Sequence, residues 1–331
     1  MKLPSFLAKR RFFRYDRRMQ LRFVGNGAVK VLTQILVYLY LLGVSYVICS
    51  PILYMLSMAF RPGEQVNDPN VVWIPTKLTL ENLVNVWKNL DYKTLLTNTV
   101  IFSGVSTFLS VASCCMIGYG FARFKFRGRN FLLVMLIVML IIPAEIVSIP
   151  NYLLFSDFDP LGVLGLINSV AGTDLRINIF DNLLNTFLPA ATGVGLRSGL
   201  YILIFMQFFR GLPKEIEEAA YVDGSSTWYT LWRVMLPNAK PALITVFLFS
   251  LVWYWNDTTL STLYYDQFQT VSTELLTIGN SIRQFVQVTT YADMVTWVQC
   301  GVFISLMPLI ILYVFFQRHF VESIVTTGLV G

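Results

Sequence analysis

Long apolar runs separated by short polar stretches dominate the chain. Residues 31–60 carry no charged side chain, and neither do residues 94–122. Each run is long enough to cross a bilayer, which takes about 20 apolar residues in helical form. A third run covers 130–156 but holds Pro143, Glu145 and Pro150, so its helix is predicted to kink or break near the far end. The fourth, 187–209, is the weakest because Arg197 interrupts it. The fifth covers 241–263 and the sixth 294–316. The pattern predicts an all-α polytopic membrane protein with six transmembrane helices. Polar stretches at 61–93, 157–186 and 264–292 read as loops, with Trp73 and Trp87 as interfacial aromatics. Residues 210–240 are charged and amphipathic instead.

Six spans leave both termini on one side. Nine Lys/Arg precede the first run, four occupy the 123–129 turn, four the 210–240 segment, and Arg318 the tail. All fall on the same face, and the positive-inside rule makes that face cytoplasmic. The predicted organisation is a basic cytoplasmic leader at 1–30, a membrane domain at 31–316 and a cytoplasmic tail at 317–331. The leader is too long and too basic for a cleaved signal peptide, and it can touch anionic headgroups of the lipid bilayer.

Composition excludes other classes. Hydrophobic residues make up 55% and charged residues 13%, against about 25% charged in soluble domains. With a mean hydropathy of +0.61, an ordinary soluble enzyme is excluded. The net charge of +6 follows the membrane topology and does not point to nucleic acid. Cys49, Cys114, Cys115 and Cys300 lie in apolar runs without metal-ligand spacing and read as small buried residues. The one histidine, His319, rules out a multi-histidine metal site or a histidine-based triad. No metal ligand and no catalytic residue is assigned. No Gly-x-x-x-x-Gly-Lys-Ser/Thr loop occurs, so the chain lacks the backbone donors and lysine that cradle a nucleotide phosphate.

The segment 212–241 is the most informative. Pro213 and the acids after it open a helix, Gly224 breaks it, and Ser225 or Ser226 can cap a second. Trp228, Leu231, Trp232 and Met235 then recur at helical spacing, and Pro237 and Pro241 end that helix. So apolar a cytoplasmic segment needs a cover, either the membrane surface and neighbouring loops or a partner's groove.

Glu218-Ala219-Ala220, three residues, Gly224, nine residues and then Val234-Met235-Leu236-Pro237 resembles the EAA motif of ABC importer permeases, with Val234 where the family usually has Ile. Gly118-Tyr119-Gly120-Phe121-Ala122-Arg123, Ile142-Pro143, Ile149-Pro150, Trp255-Asn256-Asp257 and the ending around Phe316-Gln317-Arg318 are similar to carbohydrate permeases of the maltose type, the smaller subunit in particular. The C-terminal Gly328-Leu329-Val330-Gly331 lacks the basic residue usual in the family's tail.

The resemblance implies a type I importer fold in a bacterial or archaeal cell membrane, with a cytoplasmic coupling helix. It implies a second permease subunit, in a heterodimer, two ATPase subunits that carry the ATP and Mg, and an extracytoplasmic solute-binding protein. Glu218, Ala219, Ala220, Asp223, Gly224, Trp228, Trp232, Leu236 and Pro237 would engage the ATPase, with no cofactor in this chain.

Charges and aromatics inside the spans supply candidate pathway residues. Glu145 and Arg197 are costly at that depth, so they pair with each other, line a pathway or snorkel to the headgroups. An arginine there would favour an anionic ligand such as a uronate-containing sugar. Asn151, Trp253, Tyr254, Trp255, Asn256 and Asp257 combine ring-stacking surfaces with polar groups suited to sugars, or form an interfacial aromatic belt. A non-sugar cargo such as a polyamine or phosphate ester, and a self-sufficient secondary transporter, are the alternatives. The second leaves the EAA segment unexplained.

Overall fold

The computed structural model describes residues 17–71, 73–159, 162–174, 176–285 and 291–328, with side chains from 29 to 317 apart from 144, 145 and 282–285. The described residues are helical and contain no strand. The chain divides into two compact units, residues 1–55 and 56–331. The first consists of most of α1 (Arg17–Ala59), which begins within the basic leader and leaves side chains such as Leu36, Tyr40 and Leu42 exposed. Cys49 is exposed there too, against expectation, while Cys114, Cys115 and Cys300 are buried.

The second unit holds α2 (Glu81–Asn89), α3 (Tyr92–Arg123), α4 (Arg129–Ile141), α5 (Ala144–Ser156), α6 (Val163–Ala171), α7 (Leu184–Thr192) and α8 (Ser198–Gly211). It continues with α9 (Lys214–Val222), α10 (Thr227–Thr230), α11 (Leu236–Asn238), α12 (Lys240–Trp255), α13 (Thr259–Tyr264), α14 (Val271–Phe285) and α15 (Tyr291–Gly328).

Three helices are long and apolar enough to cross a membrane unaided: Val29–Ala59, Tyr92–Arg123 and Tyr291–Gln317. The third expected span is the bent pair α4 and α5. Pro143 lacks an N–H and holds Ile142 in extended backbone (ψ 120°), so α4 stops there. The fourth is two short helices, α7 and α8, separated at Gly193–Arg197. The fifth ends earlier than expected, at Trp255, because Asp257 accepts the Leu260 and Ser261 N–H groups and starts α13 instead.

Two of the stretches expected as loops contain helices that pack against the core. In α14, Val271, Leu275 and Ile278 recur at helical spacing and meet Trp297 and Cys300 of α15. In α2, Val86 joins the same cluster.

α3 is the centre of the second unit, with α7, α8 and α12 against it. The middle of its buried face is rich in small residues, Ser103, Ser106, Thr107, Ser110, Ser113, Cys114 and Gly118, with Leu95, Phe102 and Tyr119 buried beside them. Small side chains let helix backbones approach closely. A Cβ on Gly118 would lie 2.6 Å from the Phe205 Cβ of α8. Tyr201, Phe205, Phe209, Met235 and Val246 fill the core around this contact.

Candidate functional site

The segment 212–241 folds as two short helical arms joined at Gly224. Pro213 precedes α9, and Glu215 and Glu217 lie in its first turn, where the helix dipole favours acids. The arm ends in a Schellman turn. The Ser225 N–H reaches the Ala220 carbonyl and the Gly224 N–H the Tyr221 carbonyl, both at 3.0 Å. That closure needs a left-handed residue, and Gly224 supplies it at φ +81°.

Ser226 caps the second arm, its hydroxyl accepting the Tyr229 N–H at 3.3 Å. After α10 the backbone makes a π turn over Leu231–Met235 before α11. Pro237 has no N–H to continue the ordinary ladder, and the Leu236 N–H bonds back to the Leu231 carbonyl. The Asn238 amide donates to the Val234 carbonyl at 2.7 Å. π turns recur at functional sites.

The wider register separates two faces. Leu231 and Met235 are buried in the core, whereas Trp228 is 61% and Trp232 52% exposed. Tyr221, Val222 and Tyr229 extend the exposed apolar surface. Glu218, Ala219, Asp223, Gly224 and Pro237 are also exposed, Leu236 is half-buried and Ala220 is buried.

A buried polar knot, absent from the sequence reading, fixes this segment to α3. Arg123, the last residue of α3, pairs with Glu217 at 3.1 Å, their side chains 5% and 9% exposed. The Tyr119 and Tyr221 hydroxyls both donate to Glu217 Oε1. Arg123 also donates to the Leu212 carbonyl at 2.9 Å. The signal lay in the Gly118–Arg123 motif and in the adjacent acids Glu217 and Glu218, which a helix turns to different faces. Sequence alone could not say which of the two points inward.

The candidate pathway residues separate as well. Tyr254, Trp255 and Asp257 are buried. The Tyr254 hydroxyl bridges Ser110 of α3 and the Leu196 N–H. Trp253 and Asn256 are exposed. Arg197 has a left-handed backbone, φ +58°, and its guanidinium lies 4.3 Å from the centre of the Trp253 ring. Asn151 is half-buried on α5, near where the Tyr264 hydroxyl donates to the Ser148 carbonyl. The side chain of Glu145, and with it the expected pairing to Arg197, lies outside the described residues.

Residues 115–325 match the family described as "Binding-protein-dependent transport system inner membrane component". The chain is 26% identical to the arabinooligosaccharides transport system permease protein AraQ of Halalkalibacterium halodurans, over 87% of this chain and 93% of that one. It is 27% identical to the diacetylchitobiose uptake system permease protein NgcG of Streptomyces coelicolor, over 85% and 83%. Among solved structures, a chain of a bacterial ABC transporter involved in the import of the acidic polysaccharide alginate shares the fold. Its TM-score is 0.64 at 18% identity, covering 92% of this chain and 99% of that one.

Proposed function

As the chain belongs to the binding-protein-dependent transport system inner membrane component family, we propose that it forms half of the translocation pathway of an ATP-driven saccharide importer. A second permease subunit supplies the other half, and a solute-binding protein delivers the cargo from outside. ATP and Mg belong to two separate ATPase subunits. Both termini are cytoplasmic, with the leader at 1–30, the membrane domain at 31–316 and the tail at 317–331, in a bacterial or archaeal cell membrane.

The observation that carries this reading is the 212–241 segment. Trp228 and Trp232 project from a segment whose other side is locked to α3 by the Glu217–Arg123 pair. Exposed aromatics on a rigid support are the hot-spot chemistry of protein interfaces. Nucleotide-driven movement of a docked ATPase is then passed to the spans as rigid-body rocking. The saccharide cargo is supported by the activities named for AraQ and NgcG and by the exposed Trp253 and Asn256.

Affinity purification from the native membrane in mild detergent tests the assembly. The wild type is expected to bring down an ATPase and a second permease. Glu218→Arg with Gly224→Asp is expected to lose the ATPase. A chain that is isolated alone and still moves solute in liposomes overturns the coupling role.

A further inference from the structure

Arg197 lies at the break between α7 and α8 in left-handed backbone. Non-glycine residues are strained in that region, and such residues cluster at ligand clamps and active sites. Its guanidinium rests on Trp253, itself 43% exposed. Among the described side chains no carboxylate pairs with it.

Depth can be counted along two helices independently. α8 ends at Gly211, which puts Arg197 about 21 Å from that end at ~1.5 Å per residue. α12 begins at Lys240, which puts Trp253 about 20 Å from that end by the same rise. The 212–241 segment joins these two ends. Measured from these joined ends, the two residues stand at matching heights, a distance shorter than a ~30 Å hydrocarbon core. A guanidinium within a span is costly against lipid, and Arg197, exposed and carrying no carboxylate among the described side chains, suits the wall of a water-filled pathway.

We propose that Arg197, Trp253 and Asn256 form a binding site in the pathway for a saccharide that carries carboxylates, such as a uronate oligomer. This assignment rests on the saccharide importer reading above. Stacking on the indole holds the guanidinium in place and leaves its edge N–H donors for a bidentate carboxylate. The exposed part of the indole suits the apolar C–H face of a sugar ring. The Asn256 amide already donates to the Val252 carbonyl at 2.9 Å, so its oxygen is the group that accepts a sugar hydroxyl. The indole is what a bare phosphate or a small acid leaves unused.

The test is uptake by the complete importer in proteoliposomes, with trigalacturonate, its methyl ester, maltotriose and glucose 6-phosphate as probes. The wild type is expected to import trigalacturonate and to discriminate against the ester. Arg197→Gly keeps the left-handed backbone without strain, so the complex assembles and its Tm holds or rises. Its trigalacturonate uptake falls at least about tenfold, the worth of one charge-assisted bidentate contact. Trp253→Leu raises KM for the same probe. Equal trigalacturonate uptake by Arg197→Gly and wild type overturns the site and leaves the importer reading intact. Import of maltotriose or glucose 6-phosphate in preference to trigalacturonate also overturns the site alone. Import of none of the four overturns the saccharide reading and the site with it.

Discussion

The Glu217–Arg123 pair makes the strongest energetic prediction. Glu217→Leu leaves the Arg123 guanidinium buried, with the Leu212 carbonyl still accepting from it and two tyrosine hydroxyls without the carboxylate. Removing one member of a buried pair costs about 3–5 kcal/mol. Arg123→Met leaves Glu217 with both tyrosine donors, so its cost is smaller, about 2–3 kcal/mol on the scale of a hydrogen-bonded buried charge. The double variant removes both charges together and is expected to lose less than the two single costs combined, by about 1–3 kcal/mol. Equilibrium unfolding of the purified permease in mixed micelles measures all three. Additive losses would refute the reasoning, since they would mean that the two groups do not sense each other. Coupling gives an orthogonal readout. With α9 released from α3, ATP hydrolysis by the assembled complex should persist while solute uptake falls, because the segment moves without dragging the span.

Trp228→Ala with Trp232→Ala removes side chains that are more than half exposed, so the unfolding midpoint of the permease should fall only slightly while its affinity for the ATPase drops by at least about 2 kcal/mol, read by titration in detergent. Gly118→Val places side-chain atoms against Phe205 and should destabilise the α3–α8 contact by about 1–3 kcal/mol, seen as a lowered Tm. Tyr254→Phe deletes the hydroxyl that joins Ser110 to the Leu196 N–H and should cost about 1–2 kcal/mol, with faster hydrogen exchange confined to the α7–α8 break.

Helix type and approximate position were legible wherever apolar residues ran without interruption, as in α3 and α15. Pro143 and Arg197 correctly marked the weak points of two spans, because a missing N–H and a charge within an apolar run both disrupt a membrane helix wherever they fall. The amphipathic α14 was hidden by its polar neighbours: its apolar positions Val271, Leu275 and Ile278 face one side, while the average of the stretch is polar. The exposed tryptophans followed the helical spacing of 228 and 232. The inward turn of Glu217 did not, since it depends on where α9 meets the end of α3, a tertiary fact. The same holds for Tyr254, which local pattern placed among sugar-facing aromatics and the fold uses as a brace beneath the broken span.

The polar face of α3 also bears on how the chain is made. During synthesis α3 emerges before α7, α8 and α12, the helices that later cover its serines and threonines. In that interval those hydroxyls meet acyl chains. Thr99 donates to the Leu95 carbonyl and Ser103 to the Thr99 carbonyl, so part of the polarity is satisfied inside the helix itself, while Ser110 and Ser113 find partners on α12 and α7. α3 can thus partition into the bilayer as an autonomous segment and wait there, small-sided and without a partner, as a template on which the later helices assemble.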